Sequence, residues 1–223
     1  MEIHGCNFTG VGSSDVKTGL GGVALILGNL SSTKYLTWTN LHYHKLSGGR
    51  LNVTNSQFLG SWPSITGGIF FILNSNEVYV SRSIFRDNKA GRDYGGGGSI
   101  FMLNSSGFFA DIIAEGNSAQ NGGWLGINGG YNHSSLHETD NIDNIIECLS
   151  SSEVSACIHI DSKSIKTHTI SLRNLICRGN DVNRFGGCIS LELIHEFSCS
   201  NCSFVTNTCK NENEQIRVSM NKL

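Results

Sequence analysis

A double glycine followed by a short apolar strand recurs along this chain, and no other feature narrows the possible folds as much. It occurs as Gly21-Gly22-Val23-Ala24-Leu25-Ile26, Gly67-Gly68-Ile69-Phe70-Phe71-Ile72 and Gly97-Gly98-Ser99-Ile100-Phe101-Met102. It returns as Gly122-Gly123-Trp124-Leu125-Gly126-Ile127 and Gly186-Gly187-Cys188-Ile189-Ser190-Leu191. A degenerate copy, Ser155-Ala156-Cys157-Ile158-His159-Ile160, keeps the strand and loses the glycines. From Gly68 onward the copies start 30, 25, 33 and 31 residues apart, a spacing that marks a stacked repeat.

Within each copy alternate positions are apolar: Ala24 and Ile26, Phe70 and Ile72, Ile100 and Met102, Leu125 and Ile127, Ile158 and Ile160, Ile189 and Leu191. Strict alternation over a few residues predicts a strand with these side chains on one face. The residues between them, Val23, Leu25, Ile69, Phe71, Phe101 and Trp124, should then point away from the core. An apolar stripe of that size is either a partner surface or a face covered by a flanking loop.

A second anchor alternates with the first. Phe85-Arg86-Asp87-Asn88 and Phe204-Val205-Thr206-Asn207 place asparagine three residues after an aromatic, with looser copies at Ala114 to Asn117 and Cys177 to Asn180. Phe8-Thr9-Gly10 and Phe58-Leu59-Gly60 keep the aromatic alone. Strands precede the anchors, as in Glu77 to Val80 and Thr169 to Leu172. Asparagine and glycine supply the left-handed backbone that a bend requires. Parallel stacking of such coils at ~4.8 Å would align Asn88, Asn117, Asn180 and Asn207 as a ladder at the turns, and Phe8, Phe58, Phe85 and Phe204 inside.

Glycine pairs leading into aliphatic strands, together with F-x-x-N, resemble the repeats of chlamydial polymorphic outer membrane proteins. They are also similar to those of protist surface proteins with a pectin-lyase-like β-helix. The resemblance runs from about Cys6 to Asn207. It implies an all-β fold, a right-handed parallel β-helix solenoid of about six to seven coils, and a role in adhesion at a cell surface. The chain reads as one domain over residues 1–223, expected to be a segment of a longer exported protein. Its first coils, 1–60, are less regular, 129–144 reads as an enlarged loop, and 208–223 as a ragged end.

Composition agrees. Hydrophobic residues make up 39%, charged residues 15%, and there are 27 glycines against one proline. That is too apolar for disorder and too weakly charged for the outer faces of a helical repeat. The net charge of −2 with scattered basic residues excludes a nucleic-acid stripe. The apolar run from Leu20 to Leu30 is broken by glycines, so no transmembrane segment is expected. The expected location is extracellular or at the cell surface, with a host or cell-surface protein or a glycan as partner and no cofactor.

Five residues past each glycine-pair position lie Asn128, Asp161 and Glu192, with His159 two residues before Asp161. In stacked coils these form a polar row. One reading makes it a solvent-facing strand edge. The other makes Asp161, Glu192 and His159 the acid–base groups of a carbohydrate-active enzyme, a polysaccharide lyase or glycoside hydrolase. The pectin-hydrolase motifs that would support the second are missing.

Of eight cysteines, Cys157 and Cys188 hold equivalent places in adjacent coils, as do Cys148 and Cys177. Their stacking puts them within reach of a disulfide, Cys157–Cys188, or leaves a ladder of buried thiols. Cys199-Ser200-Asn201-Cys202 has the spacing of half a zinc site but lacks a second pair, so no metal is expected. Cys202 stands two before Phe204 as Cys6 stands two before Phe8, which makes it a core-slot residue.

Overall fold

The computed structural model describes residues 2–9, 24–27, 50–60, 68–73, 75, 77–90, 97–103, 105, 107–119, 122–128, 138–152, 157–161, 168–178, 180–182, 188–194, 196–209 and 216–220. All regular structure among them is strand, and every described pairing is parallel. The first layer holds β1 (Glu2–His4), β2 (Asn7–Thr9) and β3 (Ala24–Leu27), and the second β4 (Arg50–Thr54), β5 (Gln57–Leu59) and β6 (Phe70–Leu73). Three layers of two strands follow. They are β7 (Glu77–Arg86) with β8 (Ile100–Leu103), β9 (Gly107–Ala119) with β10 (Leu125–Asn128), and β11 (Glu138–Ser152) with β12 (Ile158–Asp161). Next come β13 (His168–Arg173), β14 (Ile176–Arg178), β15 (Asp181–Val182) and β16 (Ile189–Ile194). The last layer is β17 (Glu196–Ser200), β18 (Ser203–Val205), β19 (Thr208–Cys209) and β20 (Ile216–Met220).

Two walls enclose the core. The first is a 13-stranded sheet whose main path runs β1-β4-β7-β9-β11-β13-β17, and the second is a 7-stranded sheet from β3 to β20. This is a parallel β-solenoid. Successive strands come from successive repeats, so each repeat buries its apolar face only against its neighbours.

Register turns the sequence repeats into columns. Phe8, Phe58, Phe85, Ala114, Cys148, Cys177 and Phe204 form one column of the first wall. The rings of Phe8, Phe58 and Phe85 stack nearly parallel, with centroids 5.1 and 5.0 Å apart. Where the column shrinks to Ala114, Trp124 of the facing wall fills the space and meets Phe109 edge-on. Phe58 and Phe85 are wholly buried, and Phe8 and Phe204, in the end layers, partly so.

Ile69 and Trp124 are both fully buried, which corrects their expected outward placement. They sit at the bend just before the strand, where the two-residue alternation has not yet begun. Phe71 and Phe101 do lie on the outer side but are only 7% exposed, so the expected open stripe is covered there. The backbone of Gly97 packs against the outside of Gly126, next to Phe101, so the turn entering one strand lies over the wall. Val23 lies outside the described residues.

Two expected boundaries also move. The stretch 129–144 is not all loop, because β11 begins at Glu138 and pairs with β9 and β13. The end is not ragged from 208, since β19 and β20 continue both walls to Met220. Within 1–60, β1, β2, β4 and β5 pair in register. Polar outward residues hide a strand whose inward positions obey the column.

Candidate functional site

The turns come first, because they set where every outward side chain points. Two columns of left-handed residues bend the first wall. One is Gly5, Asn55, Arg82, Asp111, Asn174 and Asn201, with φ between 48° and 62°, and the other is Gly60, Asp87, Gly116 and Thr206. At Asp87, Gly116 and Thr206 the left-handed residue is the one before the asparagine. Asn88, Asn117 and Asn207 do not themselves have positive φ, which corrects their assignment as bend residues.

The asparagines are instead buried hydrogen-bond hubs, and they do form a ladder. Asn88 Nδ2 donates to Asn117 Oδ1 at 3.0 Å, and Asn180 Nδ2 donates to Asn207 Oδ1. Three of them also satisfy the carbonyl of the core column one layer back: Asn88 to Phe58, Asn117 to Phe85 and Asn207 to Cys177. Ser99 joins by donating Oγ–H to Asn117 Oδ1 at 2.8 Å. In register, Ser150 stands between Asn117 and Asn180 and interrupts the row.

Of the glycine pairs, Gly68, Gly97, Gly98, Gly122 and Gly123 are described and all are buried. A Cβ on Gly68 would run into the carbonyl of Gly98, and one on Gly98 into the carbonyl of Gly123. Gly68 and Gly98, each the second of its pair, are therefore fixed by close stacking. Gly21, Gly22, Gly67, Gly186 and Gly187 lie outside the described residues.

The polar row forms on the outer face of the second wall as the spacing required. Asn128, Asp161 and Glu192 are register partners in β10, β12 and β16. His159 lies in the neighbouring row between Gly126 and Ser190. Asp161 is 4% and His159 8% exposed, so this is not an open solvent edge. Asn128 Oδ1 and Ser190 Oγ are buried with no hydrogen-bond partner among the described residues. No group of three or more His, Cys, Asp or Glu among the described residues is arranged to hold a metal.

Cysteine pairing differs from the stacked bridge. Cys157 and Cys188 are stacked neighbours, with Cys157 N–H donating to Cys188 O at 3.1 Å. Cys188 is nevertheless bonded to Cys177, across the core within one layer, and Cys157 is itself disulfide-bonded. Side chains at equivalent positions of parallel strands point the same way, whereas residues of facing walls point at one another. Cys199 and Cys202 are joined over the bend at Asn201, which removes them as zinc ligands. Cys6 is a free thiol in the slot equivalent to Cys202.

A feature not anticipated from the sequence is the outer face of the first wall. Tyr79 and Phe108 are register neighbours, 44% and 39% exposed, flanked in the same row by Asn52 and Asn141. Arg50 lies over the Tyr79 ring, 5.7 Å from its centroid. Both residues alternate with the buried Val78, Val80 and Phe109, and that alternation was the available signal.

No family model, no curated protein and no solved structure matches this chain. No helix among the described residues is long and apolar enough to cross a membrane.

Proposed function

We propose that the chain is a non-enzymatic β-helical repeat domain of a surface or secreted protein, serving as a rigid adhesive or structural element. The observation that carries this reading is the Tyr79–Phe108 pair, which stands open on a rigid wall while the outer aromatics of the opposite wall are covered. Paired exposed rings with Asn52 beside them suit a glycan or a protein surface with apolar relief. The disulfides Cys177–Cys188 and Cys199–Cys202 support an oxidising, extracellular setting. The likeness of the repeat to polymorphic outer membrane proteins points the same way. Binding of the labelled protein to cells and to a glycan array tests it. Tyr79→Ala with Phe108→Ala should abolish binding without changing the circular dichroism spectrum, and undiminished binding counts against this face.

The register of Asp161 with Glu192 favours one second reading, a carbohydrate-active enzyme using these carboxylates with His159. Reducing-end and unsaturated-product assays on acidic and neutral polysaccharides separate the two. Turnover lost in Asp161→Ala would overturn the non-enzymatic reading.

A further inference from the structure

The outer face of the first wall carries a row of uncharged residues that runs through consecutive layers. In register it reads Asn52, Tyr79, Phe108, Asn141 and Ser171. Asn52 and Ser171 are half-buried, and Tyr79 and Phe108 are exposed. The next outward row has the short side chains of Thr54, Ser81 and Ala110, so the rings stand above a shallow floor. Arg50 lies over the Tyr79 ring and steadies it.

The chemistry of the row, its charge and its spacing specify a ligand. Rings with amide and hydroxyl groups in the same row suit a molecule with apolar faces and hydroxyl edges, which is the make-up of a sugar. Charges beside the row come in opposite signs. Arg50 is in register with Glu77, and Asp111 follows Arg82 in the column of left-handed residues. An acidic polymer therefore finds no net complement here, whereas an uncharged one needs none. The row presents one residue per layer, at the ~4.8 Å spacing of neighbouring strands. Successive sugars of an extended chain advance by about one such layer. An extended peptide presents its same-side residues every ~6.8 Å and falls out of step.

We propose that this row is a binding track for an uncharged linear polysaccharide, laid along the solenoid axis with its sugars in step with the layers. Tyr79 and Phe108 each take the face of one sugar, and Asn52 and Ser171 take hydroxyl groups further along. The assignment rests on the adhesive reading of the Tyr79–Phe108 face and names what that face holds. The polar row of Asp161 and Glu192 lies on the other wall and takes no part.

Isothermal titration with cello-oligosaccharides and N-acetylchito-oligosaccharides of increasing length, set against polygalacturonate, tests this. Affinity should rise with length until the oligomer spans the row, and polygalacturonate should bind more weakly than the long neutral oligomers. Tyr79→Ala and Phe108→Ala should each weaken the longest oligomer about tenfold, with an unchanged circular dichroism spectrum. Asn52→Ala, one layer from Tyr79, should weaken the longer oligomers and leave the disaccharide as it was. Affinity independent of length overturns the proposal, as does tighter binding of polygalacturonate or no binding of either neutral series. Equal loss on short and long oligomers in Asn52→Ala means that the sugars do not follow the axis, and overturns it too. Binding to cells separates this outcome from the wider reading. Binding that survives enzymatic removal of surface glycans, yet is lost in the double variant Tyr79→Ala with Phe108→Ala, means that the face holds a protein. The polysaccharide then fails and the adhesive reading stands. A double variant that binds cells as well as wild type overturns both.

Discussion

Asn117 shows how much one residue holds in a repeat fold. Its Oδ1 accepts from Asn88 N–H, Asn88 Nδ2 and Ser99 Oγ, and its Nδ2 donates to Phe85 O. Asn117→Ala removes all four of these hydrogen bonds from buried groups, so a loss of about 3 kcal/mol is expected in urea unfolding. The glycines divide by the same logic. Gly98→Ala drives a Cβ into the carbonyl of Gly123 and the backbone of Ser118, so a loss of at least about 3 kcal/mol is expected. Gly60, at φ 65°, has nothing within 4 Å of its would-be Cβ, and Gly60→Ala should cost only about 1 kcal/mol, the left-handed penalty alone. Unfolding curves for the two alanine variants, measured side by side, check the contrast between steric and conformational cost.

At the scale of elements, the bond between Cys177 and Cys188 ties the first wall to the second with a sequence separation of 11. Replacing both by alanine should lower stability by about 3 kcal/mol on the chain-entropy account, and peptide mapping under non-reducing conditions should recover this pair rather than Cys157–Cys188. The sequence revealed which residues stack, because stacking is what a repeat period encodes. Ile158 on Ile189 and Asp161 on Glu192 could be counted off directly. It did not reveal which residues face each other across the core, since that depends on how far each coil turns between walls. The first bend was harder to read for a related reason: its column, Gly5, Asn55, Arg82, Asp111, Asn174 and Asn201, shares a backbone state but interrupts Gly and Asn with Arg and Asp. For the polar row, spacing gave the members and their order. The burial of Asp161 and His159 was hidden, because alternation separates the two sides of a strand and is silent on what packs over the outer one.

For the molecule as a whole, the decisive property is that each layer is supported only by the layers beside it. Stability in such an array is a sum of neighbour terms, so it follows how much each layer buries against the next. The middle layers are the best supported: β7 to β10 enclose Phe85, Phe109, Ile112 and Trp124, all fully buried, and the asparagine hub lies among them. In β17 every residue but Phe197 is exposed, and Val205 of β18 is 49% exposed. The Cys199–Cys202 bond lies within that weak layer and ties it to nothing further in. Amide hydrogen exchange should therefore show the strongest protection in β7, β8, β9 and β10, and the weakest in β17 and β18. Protection that is uniform from β4 to β18 would mean the solenoid opens only as a unit, and the neighbour-by-neighbour account would fail.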